Sequence, residues 1–278
     1  MNLPEDIATR VSGEVGANHQ GDLRTAKRMI RALAEAGAGI AKFQKRTVDL
    51  MSPIAKDRPY DNPHSFGKTY GDHRRFLEFS KEQHAELWNA CRMEGIDYAV
   101  SIWDKQAMTD VKDLPAPFIK IPSALNEDLD LLRFVADSWK GEVHLSNGMC
   151  EPGLESEWRS IFGSRLVVYV ATSTYPAKFS DVCLKDIIRL KENGFRVGFS
   201  GHHLGIAIDI AAATLGAEVI ERHFSLDRTM KGTDQACSLE PEGMRKLVRD
   251  VDALKSAWNL RRGILPSEVE PRRKLKGT

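Results

Sequence analysis

Short runs of apolar, largely β-branched residues recur along this chain, and each gives way to a longer stretch whose apolar positions repeat at intervals of three and four. The first pattern is that of a strand buried on both faces, the second that of a helix with one apolar stripe. Their alternation predicts repeated βα units around a parallel sheet. Eight strands are expected, at 11–18, 40–46, 97–103, 118–123, 142–148, 166–172, 196–202 and 219–224. Leu23, Ala26, Met29, Ile30, Leu33 and Ala34 form one stripe of the first helix, which should stop at Gly37. Ser80 with Gln83 three positions later opens a helix over 81–94, with Leu87, Ala90 and Cys91 facing inward. A final helix is expected over 241–258, and a long loop over 47–79 precedes the helix that follows the second strand.

Eight such units make a (β/α)8 barrel, an architecture of about 250 residues, so a chain of 278 is expected to be one domain over 1–278. A short tail from about 260 and no second domain complete the expected organisation. Hydrophobic residues at 42% and charged residues at 28% are ordinary globular usage and argue against disorder. A formal net charge of +1 offers no long-range field for nucleic acid or a membrane surface, so any anion must be recognised by local groups. Cys91, Cys150, Cys183 and Cys237 are far apart and read as free thiols of a reducing compartment. No leader-like apolar segment opens the chain and no stretch reaches the roughly 18 apolar residues of a membrane span, so a cytoplasmic protein is expected.

Polar residues crowd the C-terminal ends of the expected strands: Glu14, Asn18, Lys42, Gln44, Ser101, Lys120, Ser123, Ser146, Ser173, Ser200, His202 and His223. Barrel enzymes carry their active sites on that face. Lys42 and Lys120 with the serine hydroxyls suit a small anion such as phosphate or carboxylate. His202 and His223, ending consecutive strands, can reach one point across the mouth and hold a divalent metal, with Asp234 completing the shell or handling a proton. The alternative is that one of the two histidines is structural. His203 should point away from His202 by strand alternation.

At this point the motifs GEVGANHQGDLRTAKRMI, IAKFQKRTVD, FIKIPSA, SNGM, TSTYP, GFSGHHLGIA and ERHFSLDRTMKGTDQACSLEP matter together. In this order, from Gly13 to Arg249, they resemble the sialic acid synthase family. The resemblance implies addition of C3 of phosphoenolpyruvate to the aldehyde of an open-chain, N-acetylated amino sugar, with attack of water and loss of phosphate by C–O cleavage. It implies a divalent metal, Mn2+ or Mg2+, on His202 and His223. Phosphoenolpyruvate would be held by Lys42, Ser101, Lys120, Ser123, Ser146, Ser173 and Ser200, and the acceptor by Gln44, Tyr175 and Asp234. Glu14, Lys42, Lys120 and Asp234 would be catalytic, Glu14 in apolar surroundings orienting the acceptor or relaying a proton. The insertion DRPYDNPHSFGKTYGDHRRF, the longest loop, is expected to cover the acceptor through Tyr70 and Arg74, the alternative being a plain surface excursion or dimer arm. A homodimer is a further expectation from the family.

Three departures qualify the resemblance. The family's usual antifreeze-like domain, which lends an arginine to a neighbouring site, is expected to be missing, since the sequence ends at 272–278. Leu125 stands where many members carry an acidic residue, with Asn126 and Glu127 the candidates to replace it. Gln235 and Asn147 alter motifs usually read GTDH and STGM. Two other readings stay open: a synthase for a different or phosphorylated aldose, and a degenerate barrel that binds a sugar or a biosynthetic partner.

Overall fold

The computed structural model describes residues 4–277. Eight parallel strands, β1 (Arg10–Gly16), β2 (Ile40–Lys45), β3 (Asp97–Ile102), β4 (Phe118–Ile121), β5 (Glu142–Ser146), β6 (Leu166–Ala171), β7 (Arg196–Gly201) and β8 (Val219–His223), pair in order and close into a barrel through β8 and β1. The helices are α1 (Leu23–Glu35), α2 (Pro53–Asp57), α3 (Tyr70–Leu77), α4 (Lys81–Met93), α5 (Lys105–Val111), α6 (Leu129–Ser138), α7 (Glu155–Phe162), α8 (Lys185–Glu192), α9 (Ala207–Thr214), α10 (Pro241–Ala257) and α11 (Val269–Lys276). The (β/α)8 expectation is therefore met. No helix of the described residues is long and apolar enough to cross a membrane, and all four cysteines are free.

The expected local signals act as read. Ala26, Met29, Ile30 and Leu33 of α1 are buried, and the chain leaves the helix through Gly37 at a φ of 82°. Ser80 and Gln83 close the capping box of α4, which buries Leu87 and Cys91 while Ala90 is only partly covered. The region 47–79 differs from the expected loop, because it holds a 3-10 turn at Val48–Leu50 and the helices α2 and α3. Ser52 before Pro53 starts α2, and Thr69 forms a capping box with Asp72 at the start of α3. Beyond α10, the expected tail carries the exposed helix α11.

Strand alternation divides the barrel into layers. Ile40, Ala99, Phe118, Val167, Tyr169 and Val219 plug the lower interior. Gly198 makes room for this plug, since a Cβ there would lie 2.6 Å from the Tyr169 ring. His144 stacks on Phe118 with centroids 3.6 Å apart and bonds the Tyr169 hydroxyl at 3.0 Å. Outward-facing residues of the strands and the inner faces of the helices form the larger core between barrel and helical shell. Inward residues one step above Tyr169 are charged, and they belong to the site.

Arg222 points outward from β8 into that larger core. It is 1% exposed and donates to Asp209 (2.5 Å), to the carbonyl oxygens of Gly205 and His203 (both 2.6 Å) and to that of Cys237. His203 belongs to this cluster, 3.4 Å from Asp209, as strand alternation requires. Arg222→Met removes the guanidinium from the buried Asp209 and leaves it only the His203 imidazole, which should cost about 3–5 kcal/mol of stability. Urea unfolding checks this, and a loss below about 1 kcal/mol would contradict the structural role.

Candidate active site

Above the Tyr169 plug, the C-terminal strand ends surround a cavity of about 330 Å³. Strand register sets its walls, because Glu14 lies beside both Lys42 and His223, Gln44 beside Ser101, Ser101 beside Lys120, and Ser200 beside Glu221. Each of these side chains points inward from its strand. The cavity brings together every site residue expected from the sequence: Glu14, Lys42, Gln44, Tyr70, Arg74, Ser101, Lys120, Ser123, Ser146, Ser173, Tyr175, Ser200, His202, His223 and Asp234. Asn18 alone among the polar strand ends turns away, donating to the Phe224 carbonyl and the Ser238 hydroxyl.

The floor is an ion network. Lys42 pairs with Glu14, approaches Glu221 at 3.6 Å and donates to the Ser101 hydroxyl at 2.8 Å. Lys120 donates to Glu221 at 2.5 Å, and Ser200 donates to the same oxygen at 2.9 Å. All four charged groups are nearly inaccessible. Burial pulls both lysines down, but Glu14 and Glu221 together reverse this for Lys42, whose pKa ends above the ordinary lysine value. Lys120 lacks a close second carboxylate and stays below it. Burial also opposes the charge of Glu221, yet the two lysines outweigh it and hold its carboxyl below the usual range. The expected apolar surroundings of Glu14 are absent, because Gln44 donates to it at 2.8 Å on the side away from Lys42.

Glu221 was not among the sequence candidates. Two signals pointed to it: buried lysines require counter-charges, and a residue two positions before His223 on a strand shares its face. One wall of the cavity is lined by Ser123, Ser146 and Ser173. Gly148 permits that convergence, since a Cβ there would sit 2.6 Å from the Ser173 hydroxyl and 2.7 Å from that of Ser123. Leu125 ends the turn after β4 and packs against the core. Neither proposed replacement for the acidic residue serves: Asn126 is buried and donates to the Ser146 and Gly148 carbonyls, and Glu127 is exposed outside the cavity. Asn147 accepts from the Ala171 backbone N–H, tying β5 to β6. Gln235 is buried and does not line the cavity.

Next around the ring, at the ends of β7 and β8, the His202 and His223 rings lie with centroids 5.4 Å apart, and the Tyr175 ring packs over His202 at 4.2 Å. The Thr172 carbonyl accepts from Nδ1 of His202 at 2.7 Å, which leaves Nε2 with a free lone pair. Burial, reinforced by His223, pushes the His202 pKa down to about 3, so the imidazole is neutral at physiological pH. His223 has a buried Nδ1 without a hydrogen-bond partner, 3.7 Å from Asp234. Among the described residues no cluster of three or more His, Cys, Asp or Glu side chains could hold a metal ion. His202 and His223 thus present two neighbouring imidazoles with no third His, Cys, Asp or Glu side chain grouped with them among the described residues.

The excursion between β2 and α4 forms the outer rim. Tyr70 and Arg74 face the cavity, while Tyr60, Phe66 and Phe76 pack around His73 and within the excursion itself. The Gly232 N–H donates to His64, and Lys231 lies over Phe66, so the rim rests on the loop after β8. Arg46 and Trp103 also line the cavity and were missed, since each directly follows a strand whose polar end drew attention first.

The sequence pattern of the NeuB family matches residues 29–261. The human N-acetylneuraminate-9-phosphate synthase is 38% identical over 272 residues, covering 95% of this chain and 76% of that protein. The N,N'-diacetyllegionaminic acid synthase of Legionella pneumophila is 31% identical, covering 87% and 70%. In three dimensions the chain is similar to the N-acetylneuraminic acid (sialic acid) synthetase of Leptospira borgpetersenii serovar Hardjo-bovis, solved with citrate, at a TM-score of 0.80, 28% identity and coverage of 96% and 92%. Fold, family pattern and relatives agree, and the chain belongs to the NeuB family of sialic and related nonulosonic acid synthases.

Proposed function

We propose that this enzyme condenses phosphoenolpyruvate with an open-chain, N-acetylated amino sugar resembling N-acetylmannosamine, giving a nonulosonic acid and inorganic phosphate. The observation that carries this reading is one cavity in which two buried lysines, ringed by serine hydroxyls, face a pair of imidazoles. The lysines and Ser101, Ser123, Ser146, Ser173 and Ser200 hold the carboxylate and phosphate of phosphoenolpyruvate, exchanging hydrogen bonds now made within the floor for bonds to the anion. His202 and His223 suit a divalent ion such as Mn2+ or Mg2+, since one has a fixed tautomer with a free nitrogen and the other an orphaned buried nitrogen. Such an ion supplies Lewis-acid chemistry for an aldehyde at that wall.

The remaining steps fall to the chain's own groups. C3 of the enol attacks the aldehyde carbon, a C–C bond forms, and the aldehyde oxygen takes up a proton. Water then adds to C2, and the tetrahedral centre collapses with cleavage of the C–O bond to phosphate. Glu14, paired with Lys42 and bonded by Gln44, is placed to orient the acceptor or relay a proton between these steps. Tyr175 and Asp234 line the acceptor side next to the imidazoles. The four free thiols are in keeping with a cytoplasmic enzyme.

Incubation with phosphoenolpyruvate, Mn2+ or Mg2+ and N-acetylmannosamine or related open-chain amino sugars should release inorganic phosphate in step with nonulosonic acid. Folded protein that releases none with any aldose would refute the reading. His202→Ala should lower Mn2+ affinity by at least about 10-fold and abolish turnover. Calorimetric titration of Mn2+ and a phosphate-release assay read the two effects, and unchanged values would remove the metal assignment.

A further inference from the structure

The cationic groups of the cavity are not equally neutralised. Lys42 and Lys120 on the floor are matched by Glu14 and Glu221. Arg46 and Arg74, on the rim after β2, share only Glu78. One Glu78 oxygen accepts from the Arg74 guanidinium at 3.0 Å, and the other accepts from the backbone N–H of Arg46, also at 3.0 Å. The guanidinium of Arg46 has no carboxylate partner among the described residues. It donates to the Tyr70 hydroxyl at 3.2 Å and lies 3.6 Å over the Trp103 ring.

Both arginines are more than nine-tenths buried, at 6% and 8% exposure, and the Nε atom of each lacks a hydrogen-bond partner. A buried cation without a counter-ion is costly, and two adjacent ones repel. Burial and the field of Arg74 accordingly push the Arg46 pKa down to about 10. Burial works against ionisation of the Tyr70 phenol, but Arg46 and Arg74 outweigh it and leave its pKa below the usual phenol value. The rim is thus a region of uncompensated positive potential inside a cavity whose floor is already balanced.

We infer that Arg46, Arg74 and Tyr70 form a second anion subsite, separate from the lysine floor, that takes a phosphoryl group. Two guanidinium forks and a phenol that accepts from Arg46, and so keeps its own hydrogen to donate, match the several oxygens of a tetrahedral dianion better than one carboxylate. The group has two possible sources: a phosphate on the acceptor at the end remote from its aldehyde, or the inorganic phosphate released in the reaction. The acceptor source rests on the synthase reading above, whereas the subsite itself does not.

The test compares N-acetylmannosamine with its 6-phosphate at saturating phosphoenolpyruvate, in the wild type and in Arg46→Met, Arg46→Lys and Arg74→Met, and titrates inorganic phosphate as an inhibitor in each. If the acceptor carries the phosphoryl group, the wild type prefers the phosphorylated sugar. Each Met variant then loses about 10- to 100-fold more kcat/KM on it than on the plain sugar, with partial recovery in Arg46→Lys. If the ligand is free phosphate, the two sugars are used alike, but phosphate competes with the acceptor in the wild type and not in the Met variants. Equal losses on both sugars with unchanged phosphate inhibition would overturn the subsite. Should no sugar turn over at all, the synthase reading fails, and calorimetry of inorganic phosphate decides the subsite alone. Affinity lost in Arg46→Met supports it, and affinity retained overturns it.

Discussion

The upper half of this barrel is governed by the burial of two ammonium groups. Lys42 and Lys120 sit within the closed strand ring at 1% and 4% exposure, where an unpaired ion costs several kcal/mol. The barrel meets this by placing Glu14 beside Lys42 on the adjoining strand and Glu221 on β8, from where it reaches both lysines across the ring. In the proposed reaction an incoming anion would replace these carboxylates as partner to the lysines. The serine hydroxyls already bonded into the network would supply the remaining donors.

The parallel register makes this arrangement possible. Inward positions of adjacent strands fall into layers, and each step up the barrel changes the chemistry: an apolar and aromatic plug, then the ion floor, then imidazoles and arginines at the mouth. Tyr169 joins the first two layers, its ring 4.4 Å from the Lys120 ammonium. Gly198 and Gly148 admit the large ring below and the convergent hydroxyls above. Outward positions do the opposite work, as Arg222 shows by locking β8 to α9 and to the loop that precedes it. Neighbouring residues on one strand, Glu221, Arg222 and His223, therefore serve the floor, the shell and the mouth in turn.

Much of this was legible in the residues because strand and helix periods are local signals. Seven of the strands begin at the expected residue, and the first starts at Arg10 rather than Val11. All eight end one or two residues early, since the polar residues beyond the last ladder bond look like strand but lie in the loops. The helices α2 and α3 were hidden by their brevity, although Ser52 before Pro53 and Thr69 with Asp72 marked both starts. In the site, residues with conspicuous chemistry at strand ends were found. Those defined by a partner far along the chain were not: Glu221 acquires its role from Lys42 and Lys120, and Arg46 from the absence of a carboxylate, facts that only the closed barrel creates.

The central claim is that Glu221 holds the lysine floor in place and that a substrate anion takes over its partners. The most direct measurement is the thermal midpoint of the wild type and of Glu221→Gln, each with and without phosphoenolpyruvate. Loss of one partner from a buried ion network predicts a free variant less stable by about 3–5 kcal/mol. It also predicts a larger upward shift on adding phosphoenolpyruvate than the wild type shows, because the ligand replaces the missing charge. A variant as stable as the wild type, or one that phosphoenolpyruvate stabilises no more than the wild type, would contradict the account.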